Sequence, residues 1–408
     1  MNTTPISSRL HIALFGRRNA GKSSLINALT NQEIALVSDV AGTTTDPVQK
    51  AMEILPIGPV VLIDTAGLDD TGVLGELRIK KTHEVLNRTD LALLIIDGTI
   101  GVTEFEENIL KQIREKKIPV VGVINKSDIL NINENIKKEW EKKLKLELIE
   151  TSAFNKTGIE ELKLAIIKKA PGDDMELSIV GDLINPGDFV VLVIPIDKAA
   201  PKGRLILPQQ QVIRDILEND AMAVVTKEYE LKETLESLGK KPALVITDSQ
   251  AFLKVSADTP KDIPLTSFSI LFARYKGDLE ELTRGVKAVE KLKPGDKVLI
   301  AEGCTHHRQS DDIGKVKIPR WIRQIAGGDI EFSWSSGMTF PENLNEYKLI
   351  VHCGACMLNR REMMYRISYV RDKKIPIVNY GVMIAYVQGI IPRAIEMFPA
   401  AKMIYMEE

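Results

Sequence analysis

The stretch that most restricts the fold is Gly16-Arg-Arg-Asn-Ala-Gly21-Lys22-Ser23, set between the apolar run His11–Phe15 and the amphipathic segment Ser24–Leu29. Glycines at this spacing, between a strand and a helix, let backbone N–H groups curl around a phosphate. The helix N-terminus adds partial positive charge, Lys22 reaches the β and γ oxygens, and Ser23 ligates magnesium. The candidate phosphate-side residues are Gly16, Asn19, Ala20, Gly21, Lys22, Ser23 and Ser24.

Four further elements follow in a fixed order. Gly42-Thr-Thr44-Thr-Asp46 places a hydroxyl, that of Thr44, where it can reach magnesium once a γ-phosphate is present. The strand Val60–Asp64 ends in Asp64-Thr-Ala-Gly67, a magnesium-side carboxylate and a glycine N–H for the γ-phosphate. After a buried strand at Leu91–Asp97, the run Val120–Ile124 delivers Asn125-Lys126-Ser127-Asp128, and Thr151-Ser152-Ala153 closes the set. The Asp128 carboxylate can accept from both N1–H and N2–H of guanine, a pair that adenine does not offer. Each charge-assisted bond is worth roughly 1.5–3 kcal/mol, so two give about a hundred- to ten-thousand-fold preference for guanine. The expected ligands are GTP and Mg2+, with Lys22, Thr44, Asp64 and Gly67 as catalytic candidates.

On these motifs the first 170 residues resemble the TrmE–Era-like branch of the small GTPases. The resemblance implies that Thr44 is the switch threonine on magnesium, although Thr45 stands where relatives often carry arginine. It pairs Asn19 with a P-loop asparagine that in several relatives ligates K+; the other role open to it is to hold the loop by side-chain hydrogen bonds. Leu68 occupies the place of the glutamine that positions water in many GTPases. Leucine cannot orient a nucleophile, so hydrolysis is expected to be slow, as suits a switch.

Composition narrows the surroundings. At 408 residues two to four domains are expected. Lys and Arg total 54 against 56 Asp and Glu, which leaves no basic field for nucleic acid. Apolar runs such as Val190–Pro195 are far too short to span a bilayer. Met1–Leu10 lacks signal-peptide architecture, and the 3 cysteines share one motif, so the expectation is a cytoplasmic chain without disulfides or membrane attachment.

Pro171-Gly-Asp-Asp174 reads as a linker. Beyond it, Phe189–Ile196, Pro208–Asn219, Ala221–Val225, Leu231–Leu238 and Pro242–Thr247 alternate strand and helix, a small parallel α/β unit over 173–263. This stretch holds no His and no Cys. Its short sheet leaves an unpaired edge, which serves either self-association or a rigid spacer.

The last domain, 264–408, is expected to be a Rossmann-like α/β fold with strands at Lys297–Ile300, Tyr347–Val351 and Ile375–Asn379. Cys304 and His306 fall just past the first strand, His352 and Cys353 just past the second, where ligands sit in parallel sheets. Cys353 and Cys356 precede the helix Leu358–Arg371, whose N-terminal dipole favours thiolates. Incidental burial, a structural zinc on three Cys and one His, and an iron–sulfur cluster on three thiolates all fit the spacing. In the third case one iron is left for a histidine, for a carboxylate such as Asp311 or Asp312, or for an external ligand.

A TrmE–Era-like GTPase, an α/β middle unit and C-x-H followed at a distance by H-C-x-x-C together resemble the HydF family, the maturation GTPases of iron–iron hydrogenases. The resemblance covers essentially the whole chain. It implies a 4Fe-4S cluster on Cys304, Cys353 and Cys356 and a homodimer formed through the middle domain. It also implies a scaffold that receives a di-iron precursor as cargo, made with two radical-SAM maturases, and passes it to apo-hydrogenase. His306 and His352 match the family's motif histidines without a defined role, and His307 has no counterpart. The reading from another class is a TrmE-like regulatory GTPase in RNA modification with a structural zinc, against which the charge balance speaks.

Overall fold

The computed structural model describes residues 4–30, 48–65, 73–130, 133–171, 178–195, 205–303, 312–337, 340–341 and 343–407, with 73–79 as backbone alone. They divide into two compact units, Met1–Met175 and Glu176–Glu408.

In the first unit a six-stranded sheet runs in the order Val48–Ile54, Gly58–Asp64, Leu10–Gly16, Leu91–Asp97, Val120–Asn125, Leu148–Glu150. The first of these is antiparallel to its neighbour and the remaining pairs are parallel. Parallel strands covered on both faces must be apolar without alternation, and Leu91–Asp97 is buried at all 7 positions. The register sets Leu14 opposite Asp64 and Asp97 opposite Asn125, so the ends of these strands share one carboxyl edge. The P-loop leaves the sheet there, and its helix starts at Lys22, two residues before the amphipathic stretch. A capping box starts the helix Glu104–Glu115: Glu106 accepts from Thr103 N at 2.8 Å and Thr103 Oγ1 from Phe105 N at 3.3 Å.

The second unit holds two parallel four-stranded sheets. One runs Leu265–Ser267, Leu244–Thr247, Phe189–Val193, Met222–Thr226; the other runs Glu331–Ser336, Lys297–Glu302, Leu349–His352, Ile377–Asn379. A single apolar cluster extends through both, from Ile179 to Ala401. The edge strand Leu265–Ser267 falls past the 173–263 span expected for the middle domain. Glu331–Ser336 escapes a reading of apolar runs because Ser and Glu fill two thirds of it and its side chains are half-exposed or exposed. The helix Leu279–Val286 lies so close on Ile377–Asn379 that a Cβ on Gly285 would stand 1.8 Å from the Ile377 carbonyl oxygen.

Candidate functional site

Four groups meet at the carboxyl edge of the first sheet. Lys22 is 7% exposed, and its Nζ donates to the carbonyls of Gly16 at 2.8 Å and Arg17 at 2.7 Å. The ammonium thus rests on the P-loop's own oxygens, bonds that an arriving phosphate replaces at little cost. Ser23 Oγ donates to Asp64 Oδ2, which brings two of the three expected magnesium ligands together. Burial pushes the Asp64 carboxyl up against the pull of Ser23 and Lys22, and a dication is the partner that relieves it.

Asn125 has a role beyond the base. Its Nδ2 donates to the Ala20 carbonyl at 2.9 Å while its Oδ1 accepts from Ala153 N at 3.2 Å, bracketing the P-loop to the 151–153 loop. Gly21, at φ +85°, has no room for a side chain, since a Cβ would meet that same Nδ2 at 2.2 Å. Ser152 Oγ donates to Asp128, orienting the carboxylate expected to read guanine. Lys126 takes the left-handed region at φ +66° and reaches Asp97 Oδ2 at 2.6 Å. Burial raises the Asp97 carboxyl, but the Lys126 and Thr99 bonds together outweigh it and hold it below its usual range. Sequence reasoning missed the Asn125 bracket, and with it Lys126–Asp97 and the clamp of Arg17 on Thr103 and Glu106, the last at 3.2 Å. Asn19 is exposed at φ +61°, and Ser24 is exposed on the helix's first turn. Thr44, Thr45, Gly67 and Leu68 lie outside the described residues.

The second constellation sits at the carboxyl edge of the last sheet. Register sets Ala301 opposite His352 and His352 opposite Asn379, so the loops after these strands emerge side by side. Cys353, partly buried, follows the strand directly; Gly303 N donates to its Sγ at 3.0 Å and Ala355 N at 3.5 Å. Ala355 supplies that second donor by adopting φ +53°. Burial pushes the Cys353 thiol up to about 11 despite these bonds, so at neutral pH it keeps its proton unless a cation such as a metal ion displaces it.

His352 closes the strand and does not begin the loop. It is 0% exposed, and burial, then Arg366, drives its imidazole down to about 3, so it is neutral. Its Nδ1 meets the Cys353 carbonyl at 2.8 Å and its Nε2 meets Arg366 Nη1 at 3.2 Å. A guanidinium only donates, so Nε2 accepts and Nδ1–H donates. With both nitrogens engaged, His352 supports Cys353 from behind, and it ligates a metal only if Arg366 moves away.

Three polar groups here were not singled out from sequence. Arg366 is fully buried, bonded to Glu362 at 2.8 Å and to the Gly337 carbonyl at 3.1 Å; the i,i+4 Glu–Arg spacing inside an apolar helix face was the readable signal. Tyr380 donates to Glu302 at 3.2 Å and keeps its proton, because burial and then Glu302 raise it. Lys276, 2% exposed, donates to the carbonyls of Leu358 at 2.9 Å, Cys356 at 3.0 Å and Ala355 at 3.4 Å; burial lowers its ammonium to about 8. Asp312 accepts from Lys315 N at 2.8 Å.

Cys304, His306, His307 and Asp311 lie outside the described residues. Among the described residues, no group of three or more His, Cys, Asp or Glu could hold a metal ion. Cys353 and Cys356 nonetheless fit a thiolate-held cluster. They share one turn, one sulfur receives two backbone N–H groups, and a buried ammonium backs them. No described helix is long and apolar enough to cross a membrane.

The chain is 38% identical over 175 residues to the tRNA modification GTPase MnmE of Aquifex aeolicus (43% of this chain, 37% of that protein). It is 39% identical over 162 residues to the MnmE of Nitrosomonas europaea (40% and 35%). It therefore spans about a third of the length of these relatives. A crystal structure of Era in complex with MgGDPNP and nucleotides of 16S ribosomal RNA is 23% identical with a TM-score of 0.36, covering 56% of this chain and 97% of that one. Residues 11–126 match the family described as 50S ribosome-binding GTPase. Residues 179–277 match the hydrogen maturase F dimerization domain, and 280–397 the hydrogen maturase F tetramerization domain. The tetramerization domain adds to the dimer expected from sequence. The last two matches together take in more than half of the chain, and the cysteine turn lies inside the second: the chain belongs to the hydrogen maturase F (HydF) family, with a P-loop GTPase domain ahead of its dimerization and tetramerization domains.

Proposed function

We propose that this protein is a GTP-hydrolysing scaffold that holds a 4Fe-4S cluster on Cys304, Cys353 and Cys356 and delivers a di-iron precursor to apo [FeFe]-hydrogenase. The observation that carries this reading is the turn 353–358: two cysteines, two N–H donors on one sulfur and a buried ammonium, within a hydrogen maturase F domain. The cluster supplies an iron site open to exchange; the chain's residues bind it, orient its thiolates and offset its charge. The partners would be the radical-SAM maturases and the apo-hydrogenase, met in the cytoplasm.

Three domains are proposed: 1–170 for nucleotide, a middle one for dimerisation and a last one for the cluster. The edge strand Met222–Thr226 exposes Met222 (41%) and Val225 (49%), which supports pairing through that edge. The nucleotide is GTP with Mg2+ on Ser23, Asp64 and Thr44, read by Asn125 and Asp128. The exposed Asn19 keeps a K+ ion as a further ligand. GTP turnover gates partner exchange rather than cluster chemistry.

A purified activation assay tests this. Protein loaded by the maturases should activate apo-hydrogenase, and the Lys22→Ala form should load yet activate poorly. No activation by the loaded wild type rules out delivery; full activation by Lys22→Ala rules out gating.

A further inference from the structure

Lys276 ends the helix Phe268–Lys276, and its ammonium is enclosed at 2% exposure. Three carbonyls that it donates to at 2.9–3.4 Å, on Ala355, Cys356 and Leu358, belong to the turn that carries both described cysteines. Carbonyls satisfy N–H groups without neutralising the charge. An ammonium taken that far from water costs several kcal/mol unless an anion faces it. Among the groups that face it are the sulfurs of Cys356 and Cys353, which become anionic once they hold a cluster as thiolates.

The other buried cation behind this turn is different. Arg366 pairs with Glu362 at 2.8 Å, with both side chains at most 4% exposed, so that pair brings no net charge. Its work is to hold His352 and the Gly337 carbonyl. Lys276 is thus the cation whose charge is directed at the cysteine turn.

We propose that Lys276 is a positioning residue for the cluster, fixing the turn 353–358 and stabilising the reduced cluster by its positive charge. This rests on the cluster reading given above. One-electron reduction adds one negative charge to a thiolate-held cluster. A fixed cation in a low-dielectric setting favours that state and raises the reduction potential. Losing the charge while keeping the turn should therefore make the cluster harder to reduce.

The test uses the full chain, reconstituted anaerobically as wild type, Lys276→Met, Lys276→Gln and Lys276→Arg. Iron and sulfide are assayed, and the midpoint potential is read by EPR-monitored titration. At the wild-type midpoint, the reduced-to-oxidised ratio should fall about tenfold in Lys276→Met, a downward shift of about 59 mV for one electron, with Lys276→Arg close to wild type. A loaded Lys276→Met at unchanged potential overturns the inference. If Lys276→Met does not load, Lys276→Gln decides in the same way. If neither neutral form loads while Lys276→Arg does, the charge requirement stands. If Lys276→Arg fails with them, the shape of the side chain governs and the inference is wrong. A wild type that takes up no cluster removes the cluster reading itself, and this inference with it.

Discussion

The nucleotide cradle and the cysteine turn both stand at the carboxyl edge of a parallel sheet, yet they handle charge in opposite ways. In the cradle the charged groups rest on local partners: Lys22 on loop carbonyls, Asp64 on the Ser23 hydroxyl, Asp97 on Lys126. Such bonds exchange readily for phosphate and magnesium, as a site that cycles ligands requires. At the turn the cations are sealed in, Arg366 at 0% and Lys276 at 2% exposure, and the histidine between sheet and loop is neutral. A site built that way suits the retained cluster proposed above. One site is reversible by construction; the other is permanent at its base and open at its rim, where Cys353 and Cys356 stay partly exposed.

The largest expected effect breaks the permanent side. Arg366→Met takes away the cation that pairs with buried Glu362, which costs about 3–5 kcal/mol. Of the three tryptophans, Trp140 lies in the first unit and Trp321 and Trp334 in the second. Denaturant unfolding should therefore shift the Trp321 and Trp334 transition, followed in a Trp140→Phe background, and leave GTP hydrolysis intact below it. Next comes the reversible side. Lys22→Ala should lower the rate of phosphate release about 10²–10³-fold, by analogy with loss of one preorganised donor, without changing bound iron. Loss of iron in that variant would mean the two sites are not separable.

A smaller effect sharpens the support beneath the turn. Gly285→Ala forces a Cβ against the Ile377 carbonyl oxygen, 1.8 Å away if nothing moves, and overpacking of this kind costs about 1–3 kcal/mol. The second unit's unfolding midpoint should fall while the first unit's stays put. An unchanged midpoint would show that the helix Leu279–Val286 can slide on the strand, and that the base of the site is softer than described.

The two sites also differ in how far the sequence disclosed them. The described part of the cradle was legible because the P-loop, Asp64 and Asn125–Asp128 are contiguous motifs, each at a strand end; the register that sets Leu14 beside Asp64 and Asp97 beside Asn125 came from the structure. What stayed hidden there was bracing between motifs, such as Asn125 on Ala20, which depends on loops meeting in space. At the turn, strand positions and Cys353 were readable. The supporting charges were not, because Lys276 and Arg366 come from helices 80 and 14 residues away from the groups they hold. His352 was read as the start of a loop, but it pairs with Asn379 as part of the sheet, which turns its imidazole inward. A side chain's partner is a tertiary fact, and no local spacing encodes it.

The most direct measurement is metal analysis with EPR on the anaerobically reconstituted full chain, wild type beside Cys353→Ala and Cys356→Ala. The account predicts iron and sulfide in cluster proportion and a reduced 4Fe-4S signal in the wild type. Both variants should lose that signal while their GTP hydrolysis is unchanged. Tight stoichiometric zinc with no such signal in the wild type would contradict it.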